Sequence, residues 1–302
     1  MMPTTGNLGW FGIFRLGLVQ TAVGSVVVLT NSTLNRVMVV EIGLAAIVPG
    51  LLIGLYYAIE LMRPRWGYGS DVSARRTPWI LGGVALLGLA GVGASASTWA
   101  MTESLPLGLL LAALSFTLIG IGVGAAGTVV LTLLAVTVAP RRRAAAGAIV
   151  FLMMIAGLAV TAQVAGKFLD PFSFERLIAV SASVAAIAFT LAVLGVWGIE
   201  RRHAAPPEPQ APSARFLSAL SDVWNDGPAR RLAIFVFCSM LAFNMQDPIL
   251  EPFAGLVFGL PVGQSTALAA FQHKGVFLGM VTAAVGCSGL GIGTMRGWIV
   301  TG

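Results

Sequence analysis

Charge is scarce in this sequence: of 302 residues, 12 are acidic, 18 are basic, and the charged total is 10%. Apolar residues make up 57%, glycine reaches 37, and the mean hydropathy is +0.90. That is a membrane composition, and it excludes a soluble enzyme. Ten-residue segments of alternating polarity, the mark of a membrane β-barrel, are missing. GVGAAG and GLGIG do not sit between a strand and a helix, which excludes a dinucleotide fold. The two cysteines, Cys238 and Cys287, lie in apolar surroundings without metal-like spacing and read as small buried side chains. The opening MMPTTGNLGWFGIF has neither a positive n-region nor a small-residue cleavage pattern, so no removable signal peptide is expected.

What remains is a series of long apolar runs. Residues 78–102 and 104–140 each exceed eighteen residues almost without charge, enough to cross about 30 Å of hydrocarbon as helix. The pattern predicts helices over 12–33, 38–61, 78–98, 106–138, 144–166 and 176–199, then 231–258 with a proline-disturbed middle, and 265–287. The fold class expected is an all-α integral membrane protein. Residues 1–202 form a six-helix N-terminal bundle, and 203–230, rich in Pro, Ala and charge, form a cytoplasmic linker. Residues 231–302 supply two helices and the start of a third, WIVTG, so the second half reads as incomplete.

The cations sit in alternate connections. Arg63, Arg65, Arg75 and Arg76 share one loop, Arg141 to Arg143 another, and Arg201, Arg202, Arg215, Arg230 and Arg231 frame a third. The intervening connections carry only Arg36, Lys167 and Arg176. The positive-inside rule then places the N-terminus in the cytoplasm, and the net charge of +6 needs no nucleic acid to explain it.

Several polar groups interrupt the apolar sequence. In FNMQDPILEPF, Asp247 and Glu251 share a helix face by their i,i+4 spacing, and two carboxylates in hydrocarbon need a cavity, a proton, a cation or the interface. Interface capping around the two prolines, a ligand or partner contact, and proton coupling all satisfy that need. The segments 29–36 and 245–252 form a short internal repeat, with Leu34 and Asn35 at the offsets of Leu250 and Glu251. It fits an architecture of two repeated bundles. Gln20, Asn31 and Asn35 can face the centre and meet Asn244 or Gln246, or serve as packing contacts. Arg15 is placed to snorkel to headgroup phosphates, and Glu41 and Glu60 to find interface partners. The many glycines of helices 3 and 4 are packing features. Trp10, Trp66, Trp79 and Trp99, near helix ends, read as an aromatic belt.

The loop RPRWGYGSDVSARRTPW is either a charged turn or a conformational latch in which Asp71 pairs with Arg75 or Arg76. Gly67, Asp71, Arg75 and Pro78 resemble the loop between helices 2 and 3 of the major facilitator superfamily, with Ala74 where a second glycine is common. The fuller text is similar to a narrower group, the PucC/LhaA family, also called the bacteriochlorophyll synthase 44.5 kDa chain family. NLGWFGIFRLGLVQTAVG, NSTLNRVMVVE, SDVSARRTPW, RRRAAAGAIVFLMMIAG and FNMQDPILEPFAG carry the likeness, which extends through nearly the whole chain.

The resemblance implies a facilitator-like bundle in a photosynthetic membrane that assists light-harvesting antenna assembly. The implied partners are the antenna α and β polypeptides, a pigment synthase, the translocation machinery and membrane lipids, with bacteriochlorophyll bound transiently. On that reading His273, in QHKG, is a pigment-binding candidate, because an imidazole nitrogen can ligate the central magnesium of a chlorin. An ordinary interhelical hydrogen bond is its plain alternative. The older family name suggests a synthase, but no nucleotide site, acidic metal motif of prenyl transfer, or paired nucleophile and base is legible, and no catalytic or metal-binding residue is assigned. Secondary transport is the main rival to assembly.

Overall fold

The computed structural model describes residues 8–63, 66, 75–200 and 224–285, and every regular element among them is helical. α1 runs Trp10–Glu41, α2 Ile47–Glu60, α3 Thr77–Glu103, α4 Leu105–Thr137, α5 Arg143–Leu169 and α6 Phe174–Val196. They are followed by α7 Gly227–Asn244, α8 Asp247–Phe258 and α9 Val262–Ala284. Among the described residues, α1 and α3 to α6 are long and apolar enough to cross a membrane. With 14 residues, α2 is short for a 30 Å span, and α9 is long enough but carries Gln264, Gln272, His273 and Lys274. Gly67, Asp71, Cys287 and residues 203–223 lie outside the described residues.

Two expected boundaries shift. The first helix does not end near residue 33 but continues to Glu41 through two π-helical turns, Leu29–Thr33 and Val37–Glu41. Each π turn absorbs an extra residue without breaking the helix, so the polar run around Asn31 and Asn35 stays inside α1. The chain turns only at Gly43, whose φ of 77° suits glycine. The helix expected over 231–258 is two helices, parted at Met245 and Gln246. Pro248 has no N–H to give and sits in the first turn of α8, where none is needed. At the other end Gly259 adopts φ 63° and its N–H returns to the Gly255 carbonyl at 3.1 Å.

α1 is the central post. Its apolar stretch is 72% buried against 28% for α5 and α6, which pack on α1 and hardly on each other. α3 and α4 approach at backbone distance: a methyl on Gly83 would lie 2.7 Å from the amide nitrogen of Ala126. Such contacts replace the hydrophobic driving force that lipid removes between helices. The hydroxyls of Ser95 and Ser181, 2.7 Å apart, tie α3 to α6.

One end of the bundle gathers the described basic loops. The N–H of Leu8 donates to the Thr137 carbonyl at 3.0 Å, and the Arg142 guanidinium stands 5.4 Å from the Trp10 ring centre. Arg15 is engaged within this end of the bundle. Its guanidinium donates to the carbonyls of Leu194 and Trp197, the unpaired C-terminal end of α6. Glu200 accepts from the N–H groups of Arg76 at 2.5 Å and Thr77 at 2.8 Å, capping α3 from a distant segment. Burial pushes its carboxyl up, but the hydrogen bonds from Thr77 and Arg76 outweigh that and hold it below the ordinary glutamate value.

Candidate functional site

At the other end of α1, its π-helical stretch meets α8 and α9. Pro252 lies inside α8, so the carbonyl four residues earlier has no intrahelical donor. That carbonyl belongs to Pro248, and Asn35 Nδ2 donates to it at 2.5 Å. The two segments of the internal repeat therefore contact one another directly.

Arg36, counted in sequence among the loop cations, is only 2% exposed. Its Nη1 stands 2.5 Å from Glu41 Oε1, and its Nη2 donates to the Leu260 carbonyl at 2.6 Å in the α8–α9 turn. The guanidinium lies against Gly255, where a methyl would come within 3.2 Å of Nε. A glycine at that point of α8 lets the cation reach the turn.

Glu251 is fully buried and also faces this seam. Thr266 Oγ1 donates to Glu251 Oε2 at 3.3 Å and lies 3.1 Å from Thr33 Oγ1. Thr266 has one hydroxyl proton, so while it donates to Glu251 it accepts from Thr33. Glu251 Oε1 and Arg36 Nε are buried without a hydrogen-bond partner among the described residues, and the Arg36 charge acts on Glu251. Asp247 accepts from Gln272 Nε2 at 2.6 Å. The i,i+4 reading of the acid pair holds, with both carboxylates turned toward α9 and each given its own partner. Tyr57 of α2 faces Asn31 and Asp247.

α9 reaches this position by close packing on α5. A methyl on Gly166 would lie 2.5 Å from the Gly263 carbonyl oxygen, and Asp170 Oδ1 accepts from the Gly263 N–H at 2.9 Å, capping α9. His273, 6% exposed, directs Nδ1 to the Ala269 carbonyl at 2.7 Å. A carbonyl only accepts, so Nδ1 carries the proton and, in the neutral ring, Nε2 keeps its lone pair. Lys274 donates to Gln163 of α5 at 2.7 Å and stands 4.9 Å from the Phe271 ring centre.

Not every residue singled out in sequence arrives here. Gln20 points into the first six helices and donates to the Gly127 carbonyl at 3.4 Å. α4, rather than the second half, lies against that turn of α1. Gln246 is exposed at the start of α8, and the side chain of Asn244 is not described. Of the loop residues, Arg75 and Arg76 are described and Gly67 and Asp71 are not, so the latch lies outside the described residues. Glu60 accepts from Arg63 at 2.5 Å and from Tyr56 at 3.2 Å. Arg36, Thr33 and Thr266 belong to the seam and went unread as site residues. The only signal for Arg36 was the acid five residues on, a spacing that a π turn brings to one side.

Among the described residues, five helices of membrane length, with a buried polar seam where α1 meets α8 and α9, define an all-α, multi-pass membrane protein. The model of the family described as PUCC protein matches residues 33–302, and the chain belongs to that family. It is 49% identical over 298 residues to a Rhodobacter capsulatus protein named bacteriochlorophyll synthase 44.5 kDa chain, covering 98% of this chain and 69% of the relative. It is 32% identical to Protein PucC of Rhodovulum sulfidophilum, over 95% of this chain and 66% of that one. It is also 32% identical to Protein PucC of Cereibacter sphaeroides, over 90% and 62%. The chain thus spans roughly two-thirds of the length of these relatives.

Proposed function

We propose that this chain is an assembly factor for bacterial light-harvesting antenna complexes, docking antenna α and β polypeptides and handing bacteriochlorophyll to them. Family membership supports the assembly role, and His273 is the observation that carries the pigment part of the reading. Its proton is committed to the Ala269 carbonyl, which leaves Nε2 in the form a metal ligand needs, oriented as backbone-anchored ligating histidines are. A chlorin held there by His273 would supply the light-absorbing macrocycle and a magnesium that accepts the imidazole lone pair. The residues around His273 would orient it and exclude water. Handover within a complex keeps a poorly soluble pigment at high local concentration.

The organisation proposed with it is two helical halves joined by the 203–230 linker, an N-terminus on the cytoplasmic side, and residence in the photosynthetic membrane. The clustering of Arg63, Arg76 and Arg142 at the end of the bundle that holds the N-terminus supports that orientation. The chain is proposed to act without catalysing pigment synthesis. Product formation by the purified protein from a defined pigment precursor would overturn that.

A second reading, secondary transport of a small molecule or pigment precursor, is favoured by the buried Glu251 with one oxygen unpartnered beside Arg36. Affinity purification from a phototrophic host separates the two. Bacteriochlorophyll absorption together with small antenna polypeptides in one fraction is the expected result. Intact protein with neither, and a saturable flux abolished by Glu251→Gln, would replace assembly with transport.

A further inference from the structure

Because α5 and α6 lean on α1 and hardly on each other, a groove of about 720 Å³ runs between them with Ser25 of α1 at its floor. Val160, Val164 and Phe168 form one wall and Ile187 part of the other, and all four are exposed, so the groove is open to the side of the bundle. Both walls are membrane-length helices, and the side opening therefore faces acyl chains. Its rim is charged. Lys167 and Arg176 line the end nearest the α5–α6 turn, together with Asp170.

The charges at that rim are not mutually satisfied. Asp170 is engaged by the N–H of Gly263 in α9, and neither Lys167 nor Arg176 is in an ion pair among the described residues. Arg176 is anchored by Nη1, which donates to the Pro171 carbonyl at 3.0 Å, and a guanidinium has four further N–H groups. Of the three cations on the cation-poor side of the bundle, Arg36 is sealed against Glu41, and the other two meet at this groove. The groove also has a telling length. From Lys167 to Val160 is roughly 10 Å along α5, and from Arg176 to Ile187 roughly 16 Å along α6. That is about a third to a half of the 30 Å hydrocarbon core, within the reach of one leaflet and too short a track for a spanning helix.

We propose that this groove binds an anionic phospholipid, with the phosphate held by Lys167 and Arg176 and one acyl chain lying between α5 and α6. Two cations near a membrane surface select an anionic over a zwitterionic headgroup by roughly tenfold or more, and the apolar walls hold either chain alike.

The full chain in nanodiscs of equal phosphatidylglycerol and phosphatidylcholine, released and weighed by native mass spectrometry, tests this. Roughly tenfold enrichment of phosphatidylglycerol among the retained lipids is expected. Lys167→Gln with Arg176→Gln should bring the ratio close to one with little loss of total lipid. Val164→Trp with Ile187→Trp, which fills the groove from both walls, should expel both lipids while circular dichroism shows the helices intact. Equal retention in the wild type, or a preference unmoved by the two Gln substitutions, overturns the proposal. So does a small polypeptide displaced by the two Trp substitutions with the lipid count unchanged, which would make the groove a helix-docking site.

Discussion

Asn35 serves the carbonyl that Pro252 leaves empty. Its Nδ2 reaches the Pro248 oxygen at 2.5 Å, joining α1 to α8 through a hydrogen bond that the proline itself makes necessary. Within a membrane that carbonyl has no water to turn to. Asn35→Ala should therefore cost about 1–3 kcal/mol, the penalty of an unsatisfied buried group. Pro252→Ala restores the N–H of residue 252, and in its presence the loss on removing Asn35 should shrink by about 1 kcal/mol or more. Unfolding of the four proteins in detergent closes the cycle, and purely additive losses would refute the dependence.

The pair of Arg36 with Glu41 depends on backbone register. Five residues along an α-helix turn the side chain about 140° away, whereas a π turn closes its hydrogen bonds at i to i+5 and brings both to one side. Arg36→Ala removes a cation that also holds the Leu260 carbonyl, leaving Glu41 and the α8–α9 turn without it. A loss of about 3 kcal/mol is expected, at the low end for a broken buried pair because the Glu41 side chain keeps 32% exposure. Arg36→Lys keeps the charge but not the fork that spans both acceptors, and should fall between. Equal stability of Ala and Lys variants would show that the charge contributes nothing.

What was legible in the sequence was whatever the solvent dictates. A backbone in hydrocarbon must satisfy its own hydrogen bonds as a helix or a closed barrel, so long apolar runs without alternation announced α3 to α6, and the described basic loop residues fell at one end as their spacing required. Asp247 and Glu251 stood out because carboxylates are costly in such surroundings. Their partners were not legible, since Thr33 and Thr266 are ordinary hydroxyls until packing sets them 3.1 Å apart. Arg36 read as a loop cation because nothing in Leu29–Glu41 announces two π turns. Asn35 read as a residue facing the centre or as a packing contact, and its role became visible only beside a proline far along the chain. Gln20 fitted the centre by type, but the rotation of α1 against α4 decided otherwise.

Close packing gives a sharper contrast. A methyl on Gly166 would meet the Gly263 carbonyl at 2.5 Å, while a methyl on Gly82 of α3 meets nothing within 4 Å. Gly166→Ala should push α9 off α5 at a cost of about 1–3 kcal/mol. Gly82→Ala should be neutral or stabilise by up to about 1 kcal/mol through helix propensity. Thermal midpoints of the two variants and faster proteolysis after α9 in the first check both. Similar behaviour of the pair would mean that α5 and α9 are not in contact at that point.

Glu200 makes the capping of α3 sensitive to acid. Hydrogen bonds from Arg76 and Thr77 hold its folded carboxyl below the ordinary value in spite of its burial. A group depressed in this way contributes stability that is fully present above the unfolded value. That contribution is lost as pH falls through the folded value. Glu200→Gln should cost about 1 kcal/mol at neutral pH, as the loss of a charged, partly exposed cap does. The difference between wild type and variant should vanish as the solution is acidified through the carboxylate range. A difference that stays constant with pH would remove Glu200 from the account.

His273 allows the pigment reading to be separated from a structural role. Ala269, whose carbonyl accepts from Nδ1, is four residues earlier in the same helix, so its oxygen keeps the intrahelical N–H of residue 273 when the ring is gone. Removing the imidazole therefore orphans no backbone group, and protein abundance should fall no further than a glycine inside a helix dictates, about 1 kcal/mol. His273→Gly should lower bacteriochlorophyll retained on the purified protein roughly tenfold, the scale on which metal-site substitutions act. Free imidazole added to that variant should restore retention, since it can offer the same lone pair without a backbone attached. A purely packing role predicts instead a larger fall in protein abundance and no response to imidazole. Unchanged pigment occupancy in His273→Gly would exclude His273 as the ligand, and the assembly reading would then rest on antenna polypeptides recovered with the protein.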